Sequence, residues 1–221
     1  GFLPRLTYQF HWTNSAGWST FDEYVSSFRA SSRRKVRKER REACADGMQI
    51  RVLRGGELTN DQIDAMYRFY SVTAQRKWGQ PYLSHAFFRE LNLSLRDHAV
   101  VAMAWLGEIP VAGALAFQRG KHLYGRHWGC LDQHDKLHFE LCYYRLIECC
   151  LDHGWSRFEA GAQGQHKVKR GLLPSETYSA HWIRHPGLAN AVAAYLPDEA
   201  ENTRAEMEHF QRRSPFRRDE P

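Results

Sequence analysis

The 221-residue sequence predicts an α/β fold, with a mixed, mostly antiparallel sheet flanked by helices. Three observations predict it. Apolar runs at 99–106, 109–118 and 122–128 follow one another through two short Gly-containing turns, the pattern of a meander. Stretches of helical period stand on both sides of that meander, at 21–46, 59–77 and 135–153. One more strand, 155–162, follows the last of these helices after Gly154.

In chain order, Leu6 to Trp12 alternates and is rich in strand formers, so it reads as a short strand inside a linker of residues 1–20. Phe21 to Asp46 reads as one long helix. Thr20 is its N-cap and Glu23 completes a capping box. Tyr24, Val25, Phe28, Ser32, Val36 and Ala43 form its inward stripe. Asp46-Gly47 stops it, and 48–53 is a strand. A second helix runs from Thr59 to Lys77 and is broken at Gly79-Gln80-Pro81. Ser84 caps a third.

In the meander, Gly107-Glu108 makes the first turn and Arg119-Gly120-Lys121 the second, and Pro110 fits only near a strand start. Asp135 caps the next helix, whose buried stripe is Phe139, Cys142, Tyr143, Leu146, Ile147 and Cys150. Residues 179–183 read as a strand and 188–196 as a helix. The domain thus spans 21–196, and 197–221 is expected to be a polar tail, disordered from Ser214.

Composition narrows the function classes. A hydrophobic content of 43% is that of a globular chain. No run of ~18 apolar residues is present, so no membrane-spanning helix is expected. The opening GFLPRLTYQFHW is no charged-then-apolar leader, and the missing initiator Met reads as processing or truncation. Five cysteines without a C-x-x-C pattern fit free thiols in a reducing, cytoplasmic compartment. The net charge of +6 is concentrated: residues 33–42 hold seven basic and two acidic side chains. Attraction to a polyanion is therefore assigned to Arg33, Arg34, Arg37 and Arg40, with Glu39 and Glu42 paired locally to their Arg neighbours.

Titratable groups gather at the joins of strands and helices between 122 and 171, where active sites are commonly built. Glu159, alternating away from Phe158 and Ala160, is a candidate base to take an amine's proton. His166 is a second candidate, and Lys167 can hold an anion or polarise a carbonyl. His138 and Glu140 occupy a first helical turn, where the dipole alone favours Glu140. Tyr124, Arg126 and Trp128 alternate and are expected on one face as a substrate wall, with Gln163 and Arg170 beside it. His134 and His138, with Glu140 or Cys130, are the nearest approach to a metal set. H-E-x-x-H is absent and no metal centre is expected.

Longer stretches carry a resemblance. YQFHWTN (8–14), FDEYVSSFRASSRRKVRKERRE (21–42), LYGRHWG (123–129), LHFELCYYRLIE (137–148), RFEAGAQGQHKVKRGLLP (157–174) and SAHWI (179–183) resemble predicted N-acyltransferases of the peptidoglycan biosynthesis or recognition type. These are relatives of the FemAB aminoacyl transferases within the GNAT superfamily, and the likeness covers most of 5–196. It implies a GNAT-like acyltransferase fold, here as a C-terminal half. A preceding GNAT-like half, or a homodimer partner, would complete the substrate cleft. It also implies transfer of an acyl or aminoacyl group to an amine on a small molecule or peptide. Lys167 matches a lysine of such relatives. Acetyltransferases cradle the acetyl-CoA pyrophosphate in a glycine-rich loop. The equivalent join, 129–135, holds one glycine and two aspartates, which disfavours acyl-CoA. The FemAB relatives lack that loop too, so the resemblance implies aminoacyl-tRNA as donor, with acyl-CoA as the alternative. Two rival readings stand beside this one. The first is a non-catalytic module binding RNA or a cell-wall precursor through the basic helix 29–41. The second is a metal-dependent hydrolase.

Overall fold

The computed structural model describes residues 1–217, apart from the side chains of Lys77 and Trp78. Seven strands form one sheet: β1 (Leu3–Thr13), β2 (Met48–Arg54), β3 (Ala99–Leu106), β4 (Ile109–Arg119), β5 (His122–Cys130), β6 (Arg157–Glu159) and β7 (Leu173–His181). Their order across the sheet is β2-β3-β4-β5-β6-β1-β7. Every neighbouring pair is antiparallel except β5 and β6. The expected mixed, mostly antiparallel sheet is therefore present, and the β3-β4-β5 meander lies at the expected residues.

Helices cover the sheet from both sides. One apolar core lies under α1 (Phe21–Ser26), α2 (Ala30–Ala43), α6 (Arg145–Asp152) and the end of α7 (Pro186–Arg212). A second lies under α3 (Asn60–Trp78) and α4 (His85–Arg89). Backbones approach closely between α3 and β5. A Cβ at Gly129 would lie 2.0 Å from the carbonyl oxygen of Phe69, so only glycine fits there. Among the described residues, no helix is long and apolar enough to cross a membrane.

Several elements differ from the sequence reading, each for a tertiary reason. Residues 1–20 are no linker, because β1 is an inner strand of eleven residues between β6 and β7. The single helix 21–46 is two helices broken at Ser27–Arg29. There Phe28 bridges to Phe216, the Arg29 N–H donates to Pro215 O, and the Arg217 N–H donates to Ser27 O. The Phe28 ring packs edge-on against Tyr24 and Phe216, at centroid distances of 4.9 and 5.0 Å. Thr20 caps α1 as expected, but the Glu23 carboxylate reaches back to the N–H of Ser19.

The supposed tail is also ordered structure. α7 continues through Pro197 to Arg212, and Phe210 buries itself against Phe10 and Tyr8. Phe216 stacks on Trp18. Residues 218–221 lie outside the described residues. The 155–162 strand shortens to 157–159. Ala160 and Gly161 still bond to Phe10, but Gly161, at φ +79°, then turns the chain away.

Candidate active site

β5 and β6 pair over three positions only, His122–Tyr124 with Arg157–Glu159. Beyond Tyr124 the strands separate, and a cleft of about 570 Å³ opens between their C-terminal ends. Parallel strands commonly bind ligands at such ends. The separation coincides with a β-bulge. Ala116 pairs with Gly125 and Leu115 with His127, leaving Arg126 as the extra residue.

This bulge overturns the expected common face of Tyr124, Arg126 and Trp128. Tyr124 pairs with Phe117 on the α3–α4 side, whereas Trp128 pairs with Ala114 of the other core. Trp128 and the exposed Arg126 line the cleft, and Tyr124 does not.

The helix after β5 supplies the facing wall. It begins with α5 (Leu137–Phe139) behind Lys136, whose φ is +61°; no Asp135 cap forms. It then widens into a π turn at Glu140–Tyr144 before α6. Such turns recur at functional sites because one extra residue re-aims the side chains around it. Here His138, Cys142 and Tyr143 line the cleft, while Glu140 and Tyr144 are buried. The His138 ring lies 5.2 Å from Trp128 and 5.5 Å from Tyr143.

Glu140 is placed away from the cleft. It is 0% exposed and accepts bonds from Arg40 Nε and Nη2 at 3.0–3.2 Å, with Arg145 Nε 2.9 Å away. Arg40 and Arg145 also bind Glu148. Glu140 is a buried ion-pair centre that does not line the cleft, and Arg40 is engaged by Glu140 and Glu148. Of the other helix cations, Arg37 sits 3.8 Å from Asp22, Arg33 leans on the carbonyls of Ser26 and Phe28, and Arg34 is exposed.

The third wall follows β6. A short 3-10 segment, Gln165–Arg170, carries His166 and Lys167, and Gln163 lies just before it. Lys167 is only 4% exposed. Its ammonium donates to the carbonyls of Ala160 at 2.5 Å and Gly161 at 3.0 Å, and sits 5.6 Å from the Phe10 ring centre. No carboxylate pairs with it among the described residues. Burial lowers its pKa to about 8. Two of its three donors are occupied, which leaves one for a ligand.

His166 is exposed at the cleft, with Nε2 3.0 Å from the Tyr143 hydroxyl. Burial, then Arg170 and Lys167, hold its pKa below the usual histidine value, so the ring is neutral near pH 7. Arg170 lies behind this segment. It donates to Glu39 at 2.7 and 3.1 Å and to the carbonyl of His166 at 2.7 Å, with its guanidinium 3.4 Å from the Phe139 ring centre. Glu39 also accepts a bond from Tyr144. Its partner is thus 131 residues away, with Lys35 on its own helix only at 4.0 Å. Gly171 ends the segment at φ +79°, where a Cβ would strike the Tyr24 hydroxyl that holds Arg170 O.

Glu159 turns its back on the cleft that its neighbours Phe158 and Ala160 line. Its carboxylate lies 3.9 Å from His11 Nε2, opposite it on β1. Burial lowers the His11 pKa to about 4, so no full ion pair forms near neutrality. The structure therefore gathers Arg126, Trp128, His138, Gln163, His166 and Lys167 around one cleft and leaves out Glu159, Glu140 and Tyr124. Tyr143 was missed because its sequence context is that of any core tyrosine. Among the described residues, no three His, Cys, Asp or Glu side chains converge as a metal site.

The FemAB-like family, described as peptidoglycan biosynthesis/recognition, matches residues 1–218. The chain belongs to this family. No curated protein matches it. Among solved structures, this FemAB-like chain is similar to L-PGS from Bacillus licheniformis, with 11% identity and a TM-score of 0.56 over 86% of this chain and 65% of that one. It is also similar to the C-terminal domain of a putative lysylphosphatidylglycerol synthetase from Agrobacterium fabrum. That match has 13% identity and a TM-score of 0.60, over 88% and 66%. FemX matches with 12% identity and a TM-score of 0.57, over 84% and 64%. The chain thus spans just under two thirds of the length of each. At such identities these likenesses establish the fold.

Proposed function

We propose that this chain transfers an aminoacyl or acyl group from an activated ester to an amine, in the cleft between β5 and β6. The observation that carries the reading is Lys167, a buried ammonium held by two carbonyls, without a carboxylate, beside the neutral ring of His166. Aminolysis of an ester forms a C–N bond and breaks a C–O bond through a tetrahedral oxyanion. The free donor of the buried Lys167 stabilises that oxyanion. When Nε2–H of His166 donates to Tyr143, Nδ1 takes the proton lost by the amine and returns one to the leaving oxygen. Arg126, Trp128, His138 and Gln163 bind the substrates around these two groups.

Family membership supports an acceptor related to peptidoglycan, namely an amine on a cell-wall precursor or peptide. Aminoacyl-tRNA is favoured over acyl-CoA as donor, because the join after β5 holds Asp132 and Asp135 and no glycine-rich turn to cradle a pyrophosphate. The five free cysteines fit a reducing, cytoplasmic setting.

The test is a transfer assay with labelled aminoacyl-tRNA and, separately, acetyl-CoA, using a lysine-bearing peptide as acceptor. The expected result is transfer from aminoacyl-tRNA and none from acetyl-CoA. Lys167→Met should lower the rate about 10²- to 10³-fold while the melting curve shows a folded protein. A wild-type rate in that variant would reduce Lys167 to a latch for residues 160–161 and sink the reading.

A further inference from the structure

A cavity of about 450 Å³ lies toward the other end of β1 from the cleft. The cleft opens beyond Glu159, the last residue of β6, whereas the antiparallel β1 carries Thr13 to the level of Arg157, the first. β7 begins only at Leu173, opposite His11. Trp12 and Thr13 therefore have no strand beside them on that edge, and a notch is left open. Trp18, Ser27 at the break between α1 and α2, and Phe216 with Arg217 wall it from outside. This wall is preformed. The Asn14 side chain donates to Trp18 O and accepts the Trp18 N–H, both at 2.8 Å. Trp18 and Phe216 stack at a centroid distance of 5.7 Å and give the cavity its aromatic surface.

The deciding polar group is His11. It lines the cavity and is only 5% exposed, yet neither ring nitrogen has a hydrogen-bond partner. Glu159, 3.9 Å from Nε2, is beyond hydrogen-bond reach. Buried polar groups are nearly always satisfied, so an orphaned ring on a cavity wall marks a place for a ligand atom. Burial keeps the ring neutral, which leaves it one N–H donor and one acceptor. Arg217 stands at the exposed side. Its Nη2 donates to Ser26 O at 2.8 Å, and it pairs with no carboxylate among the described residues. No Asp or Glu among the described residues lines the cavity.

We propose that this cavity binds a small aromatic carboxylate. The carboxylate pairs with Arg217 at the mouth, the ring lies along Trp18 and Phe216, and a hydroxyl on the far side of the ring bonds to His11. Simpler occupants leave part of the wall unused. An inorganic anion would engage Arg217 and neither the aromatic surface nor His11. A neutral sugar would leave the guanidinium without a counter-charge. A metal ion would lack a set of three ligands among the described residues. The site does not depend on the transfer reading and stands if that reading fails.

The experiment is titration calorimetry of the whole chain with para-hydroxyphenylacetate. One molecule should bind per chain. Phenylacetate, which lacks the hydroxyl, and para-hydroxyphenylethanol, which lacks the carboxylate, should each bind about tenfold more weakly. His11→Phe should erase the advantage of the hydroxyl and keep that of the carboxylate. Arg217→Gln should do the opposite, and the preference each variant retains shows that its cavity is still formed. If His11→Phe does not fold, Arg217→Gln and the three compounds decide alone. No binding by wild type, preferences unchanged in both variants, displacement by inorganic phosphate, or binding of N-acetylglucosamine in place of the acid would each overturn the proposal.

Discussion

Two clusters of buried charge lie on either side of α5 and the π turn, and they are built on opposite terms. Behind the turn, Glu140 is met by Arg40 and Arg145, with Glu148 bridging the two guanidinium groups. In front of it, Lys167 is met by carbonyl dipoles, a ring and the Cys142 thiol, and by no carboxylate among the described residues. The first cluster has spent its charge on itself. The second holds a charge that an incoming oxyanion would neutralise. Burial alone therefore does not mark the active group; burial without a counter-charge does.

The largest expected effect breaks the first cluster. Glu140→Ala removes the fully buried partner of the half-buried Arg40 and Arg145 and leaves only Glu148 between them, and should lower stability by about 3–5 kcal/mol. Chemical denaturation would show it as a lower midpoint. A loss below about 1 kcal/mol would mean that Glu140 contributes no more than a surface pair. Lys167→Met should do the reverse, with a large loss of transfer and a modest loss of stability.

The second cluster also predicts the pH profile. Transfer needs His166 neutral and Lys167 charged. His166 reaches the neutral form below the usual histidine pKa, so the acid limb lies below about 6.5. Lys167 loses its charge near pH 8, which sets the alkaline limb. The rate should be bell-shaped, and the residual rate of Lys167→Met should lack the limb near 8. Stability carries its own sign. The folded pKa of Lys167 is depressed below its unfolded value, so the unfolded chain binds more protons between about 8 and 10.4. Lys167 therefore contributes stability that rises with pH across that window. A flat alkaline limb would argue against Lys167 as the charged group.

The sequence disclosed one of these clusters better than the other. Lys167, His166 and Gln163 were legible because they stand in a loop after a strand, where a polar group has little structural excuse. The sheet meander was legible because its turns carry glycine at the required places. Glu140, Arg40 and Glu39 were misread because local spacing cannot reveal a partner about 100 residues away. Tyr124 and Glu159 were misjudged for a different reason. Strict alternation assumes an unbroken ladder. The bulge at Arg126 turned one residue to the wrong face, and a correct alternation placed the other on the side away from the cleft.

The smallest predicted effect tests that last distinction. Tyr143→Phe removes one hydroxyl, the partner of His166 Nε2, and leaves the packed ring in place. A single hydrogen bond of about 1 kcal/mol corresponds to roughly fivefold in rate. The loss should fall on the acid limb as well as on its height, because that bond selects the tautomer of His166. Tyr124→Phe removes a hydroxyl that only leans on His122 at 3.4 Å, on the other side of the sheet, and should leave the rate and its pH profile unchanged. If the two variants behave alike, Tyr143 does not orient His166, and the base must be sought elsewhere on the cleft wall.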